Sequence, residues 1–287
     1  MTAAHGREPV RASPPRRFFM QIRHQVPFAR GSTPLVERRG ETADMLMEFS
    51  VLVLAPGQEY VDGSGTDERA FLLTRGGATV TWPGGSAEPS RSSLFDEAPW
   101  TLLVPRAAEV VVRAGPDGAE FCRVATENKT GYAPRAFAPD DCREEFRGEG
   151  TMNETSTRIV RTVFDDAVMP GSNLVLGEVV GVPGKWSSYP PHHHPQPEIY
   201  HYRFLPASGF GLTAIGDRAY VLRDRDTILI RDGEDHPQVT APGYAMWYLW
   251  AIRHLDGDRY RSPTTTEAHR WVAEPDAPIW SPRTQKR

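Results

Sequence analysis

Apolar residues in this chain come in short runs that are cut off by turn-forming residues. The runs are Phe49–Leu54, Ala78–Trp82, Trp100–Val104, Val110–Arg113, Leu174–Val182, Glu198–Phe204, Thr227–Ile230 and Tyr244–Ile252. Each is rich in Val, Leu, Ile, Tyr or Trp, and glycine or proline bounds most of them. Runs of this length and composition predict strands of a sandwich or barrel. Helical periodicity is almost absent; Ser156–Phe164 alone fits either a short helix or another strand. The 25 glycines and 26 prolines in 287 residues supply the punctuation such a fold needs. The expectation is an all-β protein.

The runs fall into two blocks. A stretch rich in proline and charge, Ala133–Gly150, separates them and has the composition of an interdomain connection. The blocks are alike in order. "EAPWTLLVPRAAEVVVRAG" in the first and "RDRDTILIRDGEDHPQVTAPG" in the second each read as strand, turn, strand. Laying Thr101–Pro105 over Thr227–Arg231 brings Val110 opposite His236. This predicts two copies of one barrel, at 31–140 and 141–287, with ligand-type residues kept only in the second. Residues 1–30, basic and proline-containing near the start, are expected to form a disordered arm.

Charge and cysteine usage remove several classes of function. Net charge is −4, so no global basic field points to nucleic acid or to an anionic membrane surface. No apolar run approaches the roughly 18 to 20 residues of a membrane helix, and the first thirty residues lack a signal-peptide core. Cys122 and Cys142 have no metal or redox spacing. Two free thiols in a reducing cytosol are expected, and with them a cytoplasmic protein.

The chemistry concentrates in "PPHHHPQPEIYHY", residues 190–202. Successive strand residues point to opposite faces, so His192 and His194 share a face and His193 points away. Continuing that face back through the turn adds Trp186, Ser188 and Pro190. On the next strand Glu198, Tyr200 and Tyr202 form a second alternating set, with His201 and Arg203 on the other side. A fourth candidate is His236, which ends the turn made at Gly233; Gln238 shares its face. Three histidines between prolines describe a solvated loop as readily as a ligand set. Glu198 and His236, at later-strand positions, favour ligands. Three neutral imidazoles and one carboxylate suit a divalent transition metal, and they leave coordination positions open for substrate oxygens.

The pattern His192-x-His194-x3-Glu198, followed about forty residues later by Gly233-x2-His236, is that of the cupin metal motifs. Its surroundings sharpen the likeness. "GKWSSYPPHHH", "EIYHYRF", the Gly209–Phe210 pair and "DHPQVTAPGY" resemble the 5-deoxy-glucuronate isomerase family (IolB type) of myo-inositol catabolism, which is related to the 5-keto-4-deoxyuronate isomerases. In the first half "VLVLAPGQ", "SSLFDEAPWTLLVP" and "GTMNETSTRIVRTV" follow the family order. The resemblance runs from about Phe49 to Trp271. It implies a bicupin, that is, two β-barrel domains of double-stranded β-helix (jelly-roll) type. It also implies one divalent metal ion per chain (Zn, Mn, Fe or Ni) held by His192, His194, Glu198 and His236, and a homo-oligomer. Three places depart from the family pattern: His193 and Pro195 with a single Glu198 after a shortened gap, Gln238 in place of an apolar residue, and "AIRHLDG" in place of a small-residue turn.

The activity implied is aldose–ketose isomerisation of a sugar acid. Tyr200 and Tyr202 share the face of Glu198 and are candidates to donate to a developing oxyanion. A substrate carboxylate calls for guanidinium groups, and Arg158 and Arg161 in "TSTRIVRTV", three apart at the start of the second block, are the candidates. Trp186, Ser188 and Gln238 complete the candidate substrate surface. Two other readings use the same residues: another metal-dependent cupin enzyme, such as a dioxygenase or epimerase, and a non-catalytic sugar-binding bicupin.

Overall fold

The computed structural model describes residues 19–63, 65–231 and 233–282. Most of the first half belongs to one antiparallel sheet. Its main path runs Arg135–Phe137, Thr101–Val104, Asp67–Trp82, Val110–Glu127, Glu48–Leu54, Gly31–Val36. Two of these strands are far longer than the sequence suggests, because glycine-containing segments inside them look like ends. They are bulges instead: the pairing of Asp67–Trp82 with Val110–Glu127 shifts register between Leu73 and Arg75 and again between Gly76 and Ala78. Gly76 (φ +81) and Gly118 (φ +77) meet there in the left-handed region, and a Cβ on Gly76 would run into the Gly118 carbonyl. Only glycine permits that crossing. Leu52, Phe71, Leu73, Trp100, Val110 and Phe121 fill the interior, so Val110, the counterpart of His236, is a core residue.

Two sheets face each other in the second half. One has seven strands, in the order Gln21–Ile22, Thr227–Ile230, Glu198–Leu205, Ala245–Arg253, Leu174–Gly181, Arg158–Phe164, Arg143–Arg147. The other has four: Trp186–Ser187, Gln238–Thr240, Phe210–Ile215, Arg218–Arg223. Tyr202, Phe204, Ile228, Ile230, Met246 and Tyr248 from the first meet Ile215 and Leu222 from the second. Ser156–Phe164, ambiguous in sequence, is largely strand, from Arg158 to Phe164.

The proline- and charge-rich stretch is not a free tether. It supplies Arg135–Phe137 to one sheet and Arg143–Arg147 to the other, and the chain crosses between them at 138–142. The disordered arm expected up to residue 30 also needs correcting over the described residues. Gln21–Ile22 pairs with Thr227–Ile228, and Met20 and Phe28 are buried. An unpaired strand edge and two apolar side chains account for this local order. Residues 1–18 lie outside the described residues.

Across the junction of the halves runs one continuous core. Met45, Phe49, Leu72 and Val124 from the first half pack with Phe164, Leu176, Ile199, Leu229, Trp247 and Leu249 from the second. A buried charge cluster sits beside it. One oxygen of Glu178 accepts from Arg91 (2.7 Å) and Arg161 (3.0 Å), and the other accepts from the Trp247 indole (2.9 Å). Among the described residues no helix is long and apolar enough to cross a membrane. Neither Cys122 nor Cys142 is in a disulfide.

Candidate metal centre and its cavity

The histidine-rich segment is held at both ends. His192–His193 forms a two-residue strand against Thr264–Thr265, and Glu198 opens the next strand with Ile230 and Ile252 as its partners. Gly233 (φ +67) turns the chain so that His236 arrives beside them. His194, Glu198 and His236, all buried, bring one ligand-type atom each to within 4.8 Å of one another. His194 Nε2 lies 3.1 Å and His236 Nε2 3.5 Å from the same Glu198 oxygen. His192 stands next to this trio, its ring centroid 4.9 Å from that of His236.

The tautomers follow from the hydrogen bonds. Nδ1 of His192 faces the Pro190 carbonyl at 3.0 Å, and Nδ1 of His236 faces the Glu234 carbonyl at 2.9 Å. A carbonyl only accepts, so in both rings Nδ1 carries the proton and Nε2 keeps its lone pair. Burial pushes both imidazoles down to about 4, with nearby histidines lowering each further and Glu198 partly opposing the shift in His236. They are therefore neutral near pH 7, which is the ligating form. His236 Nε2 and His194 Nδ1 are buried with no hydrogen-bond partner. The bare Nε2 atoms of His192 and His236, with the His194 ring and the Glu198 carboxylate beside them, fit a divalent metal ion. His193 does not take part: it turns outward to Asp235 (2.9 Å) and Thr266 (3.3 Å).

His192, His194 and Glu198 form one wall of a cavity of about 190 Å³, lined also by Arg158, Val160, Tyr200, Tyr248, Trp250 and Tyr260. Arg158 is the buried cation of the cavity. Its guanidinium donates to the Ser156 carbonyl (2.8 Å) and hydroxyl (2.9 Å) and to the Tyr189 carbonyl (3.3 Å). It meets no carboxylate among the described residues, and burial lowers its pKa. A buried guanidinium facing a cavity without a counter-ion is prepared for an anionic ligand. Arg143, Arg147 and Arg261 also line it, but each is paired with a carboxylate, Arg143 with Asp165 and Glu145, Arg147 with Glu145 and Arg261 with Asp166, so among the described residues Arg158 is the unpaired cation of the wall.

A metal cradle followed by an anion-ready wall narrows the class, and comparison with known proteins decides it. The chain matches the KduI/IolB family over residues 21–272. It belongs to the KduI/IolB family. Among curated proteins, the 5-deoxy-glucuronate isomerase of Geobacillus kaustophilus (strain HTA426) is 28% identical over 219 residues, covering 70% of this chain and 77% of its own length. That of Geobacillus thermodenitrificans (strain NG80-2) is 27% identical over 256 residues, covering 79% and 86%. The crystal structure of an IolB-like protein from Salmonella typhimurium LT2 superposes with a TM-score of 0.79 at 22% identity, over 88% of this chain and 99% of that one. An oxalate decarboxylase from Lactobacillus farciminis reaches 0.63 at 12% identity, over 86% and 88%. These structural likenesses are of fold, the all-β cupin architecture that the motifs imply.

In this KduI/IolB protein the remaining candidate residues divide. Ser188 and Tyr200 sit at the cavity with their hydroxyls 3.2 Å apart, and Gln238 Nε2 donates to Ser188 from behind at 3.3 Å. Tyr202 shares the face of Tyr200 but lies deeper, within the sheet-to-sheet core and away from the cavity wall. Trp186 is displaced. Strand alternation fails at Ser188 (φ +51), so Ser187 and Ser188 both turn inward while Trp186 is exposed on the outer surface against Tyr189. Arg161 is displaced as well. Three residues from Arg158 on one strand, it faces the opposite way, into Glu178 and Glu144 (2.7 Å). His201 and Arg203 do lie on the far face of their strand, but that face is the junction of the halves: His201 packs on Phe28 and Phe49. Sequence reasoning missed Tyr260 and Tyr248. Tyr248 shares the strand Ala245–Arg253 with apolar core residues, and no spacing rule singles it out.

Proposed function

We propose that this protein is a metal-dependent aldose–ketose isomerase of a sugar acid of the 5-deoxy-glucuronate type, the substrate its curated relatives are named for. The observation that carries the reading is a single cavity. On one side it presents His192, His194 and Glu198, with His236 completing the ligand cluster beside them, and on the other a buried Arg158 with no carboxylate partner. A divalent ion in that cradle would supply Lewis acidity toward a hydroxy-carbonyl pair.

The protein's own groups fix the substrate's orientation. Arg158 binds the carboxylate through a charge-assisted fork and keeps the carbonyl end directed at the cradle. Gln238 donates to Ser188, which leaves the Ser188 hydroxyl hydrogen free for the Tyr200 oxygen. The Tyr200 hydrogen is then available to a substrate oxygen as charge develops on it. Burial raises the Tyr200 phenol, with Glu198 adding to the effect, so it acts as a neutral donor. The apolar walls from Val160, Val175 and Trp250 limit water at the reacting carbons.

The deciding experiment measures metal content and uronate isomerisation on one set of proteins: wild type, His194→Ala, His236→Ala and His193→Ala. Wild type should hold about one metal per chain and convert the uronate. The first two variants should lose both properties, and His193→Ala should keep its metal. Turnover that consumes oxygen would assign the site to oxidative chemistry instead. A wild type that takes up neither Mn, Fe, Ni nor Zn would refute the proposal.

A further inference from the structure

After the last long strand, Ala245–Arg253, the chain does not leave the molecule. Leu255 and Asp258 bridge across a tight turn that includes Gly257 (φ +78), and the chain comes back over the metal cradle. Arg259 pairs with Asp166 at 2.6 Å and donates to the Ser172 carbonyl at 2.7 Å. Gln196, between the metal-binding residues in sequence, donates to the Asp258 carbonyl at 2.9 Å. Thr264–Thr265 then pairs with His192–His193. Between these anchors lies Tyr260. Its ring stands edge-on to the His194 imidazole, centroids 4.8 Å apart at 67°, and forms part of the cavity wall.

Three tyrosines line that cavity. The Tyr248 hydroxyl is engaged by Ser187 at 2.6 Å and the Tyr200 hydroxyl by Ser188 at 3.2 Å. The Tyr260 hydroxyl is hydrogen-bonded to no described residue. Burial, with Glu198 adding to it and Arg147 opposing, keeps this phenol protonated well beyond neutral pH, so what it offers is a hydrogen-bond donor.

The backbone of Tyr260 is fixed by a residue that the metal site does not use. Its amide donates to His254 Nδ1 at 2.9 Å. An amide can only donate, so Nδ1 is the bare nitrogen and the ring proton sits on Nε2, which is buried and has no partner. Burial holds His254 at about 4, so the ring is neutral at working pH. A buried imidazole with one orphaned nitrogen costs stability compared with an apolar residue of similar size. What it supplies in return is the acceptor that sets Tyr260.

We propose that Tyr260 is a substrate-contacting residue, donating its phenolic hydrogen to a substrate hydroxyl or carbonyl oxygen beside the cradle, and that His254 is the positioning residue that aims it. The proposal rests on this cavity being the sugar-acid site.

The test uses full-length, metal-loaded protein and three variants: Tyr260→Phe, His254→Leu and His254→Asn. Asparagine places its side-chain oxygen near the position of Nδ1 and so restores an acceptor. Three quantities are read: metal per chain, calorimetric affinity for D-glucuronate as a probe, and kcat/KM for uronate isomerisation. Tyr260→Phe should keep its metal and lose roughly tenfold to a hundredfold in kcat/KM, with D-glucuronate affinity weakened in parallel. His254→Leu should show the same pattern at smaller size, and His254→Asn should return to within about threefold of wild type. The double variant Tyr260→Phe/His254→Leu should be no worse than Tyr260→Phe alone. A Tyr260→Phe protein that binds and turns over like wild type overturns the contact. Failure of His254→Asn to restore what His254→Leu loses overturns the positioning role. A wild type that neither binds D-glucuronate nor isomerises the uronate removes the sugar-acid reading itself, and this proposal with it.

Discussion

Replacing Arg158 by methionine reads stability and function separately, because the first depends on its bonds to Ser156 and Tyr189 and the second on the carboxylate it would bind. In the free protein the guanidinium is buried without a carboxylate and is satisfied only by Ser156 and the Tyr189 carbonyl. Burying an unpaired charge is costly, and three hydrogen bonds offset that cost. Removing the guanidinium relieves the buried charge but leaves the Ser156 and Tyr189 carbonyls without their donor, so unfolding free energy should fall by no more than about 1 to 3 kcal/mol. A bound carboxylate changes the balance. Its charge-assisted pair with a largely desolvated arginine is worth about 2 to 4 kcal/mol, or roughly 30- to 1000-fold in kcat/KM. The assay is kcat/KM for the uronate beside the matching aldose that lacks the carboxylate. Arg158→Met should lose the full factor on the first and less than about threefold on the second. Equal losses on both, or a large drop in unfolding free energy with activity on the uronate intact, would refute the assignment.

Two further predictions concern the fold around the site. Glu178→Ala leaves Arg91 and Arg161 buried without their shared carboxylate and should cost about 3 to 5 kcal/mol. The check is the urea midpoint at unchanged slope, and a shift worth less than about 1 kcal/mol would show the network to be dispensable. In metal-free protein, burial holds His192, His236 and His254 at about 4, below the ordinary histidine value they regain on unfolding. Between those values the unfolded chain binds more protons, so this contribution is complete above about pH 6.5 and is lost as pH falls toward 4. Urea unfolding at pH 7, 6 and 5 should show the decline, and His254→Asn should make it shallower; a flat profile for wild type would contradict it.

Much of this site is legible in the sequence because strands alternate. Glu198, Tyr200 and Tyr202 share a face as the period of two requires, and His193 turns away from its neighbours for the same reason. The same rule assigns Arg158 and Arg161 to opposite faces, which explains why only one of them reaches the cavity. Where local backbone leaves the period, the pattern stops working. The positive φ at Ser188 turns two consecutive serines inward and sends Trp186 out. The bulges around Gly76 hide two long strands behind what look like turns. Tyr260 was not legible at all. Its place depends on a turn, an amide bond to His254 and a two-residue strand, none of which leaves a periodic trace.

The shared core beneath the strand Glu198–Leu205 bears on how this protein can be divided. The same strand presents Glu198 and Tyr200 to the cavity and Ile199 and His201 to the first half of the chain. The half without ligands is therefore the backing plate of the metal-bearing sheet. A fragment cut at the crossover would carry every proposed ligand yet expose Ile199, Leu229, Trp247 and Leu249 as one sticky surface. Transplanting the centre into another scaffold, or producing it as a minimal enzyme, would require redesigning that reverse side. Evolution faces the same coupling: a substitution deep in the ligand-free half can reach the chemistry through a single layer of β-structure.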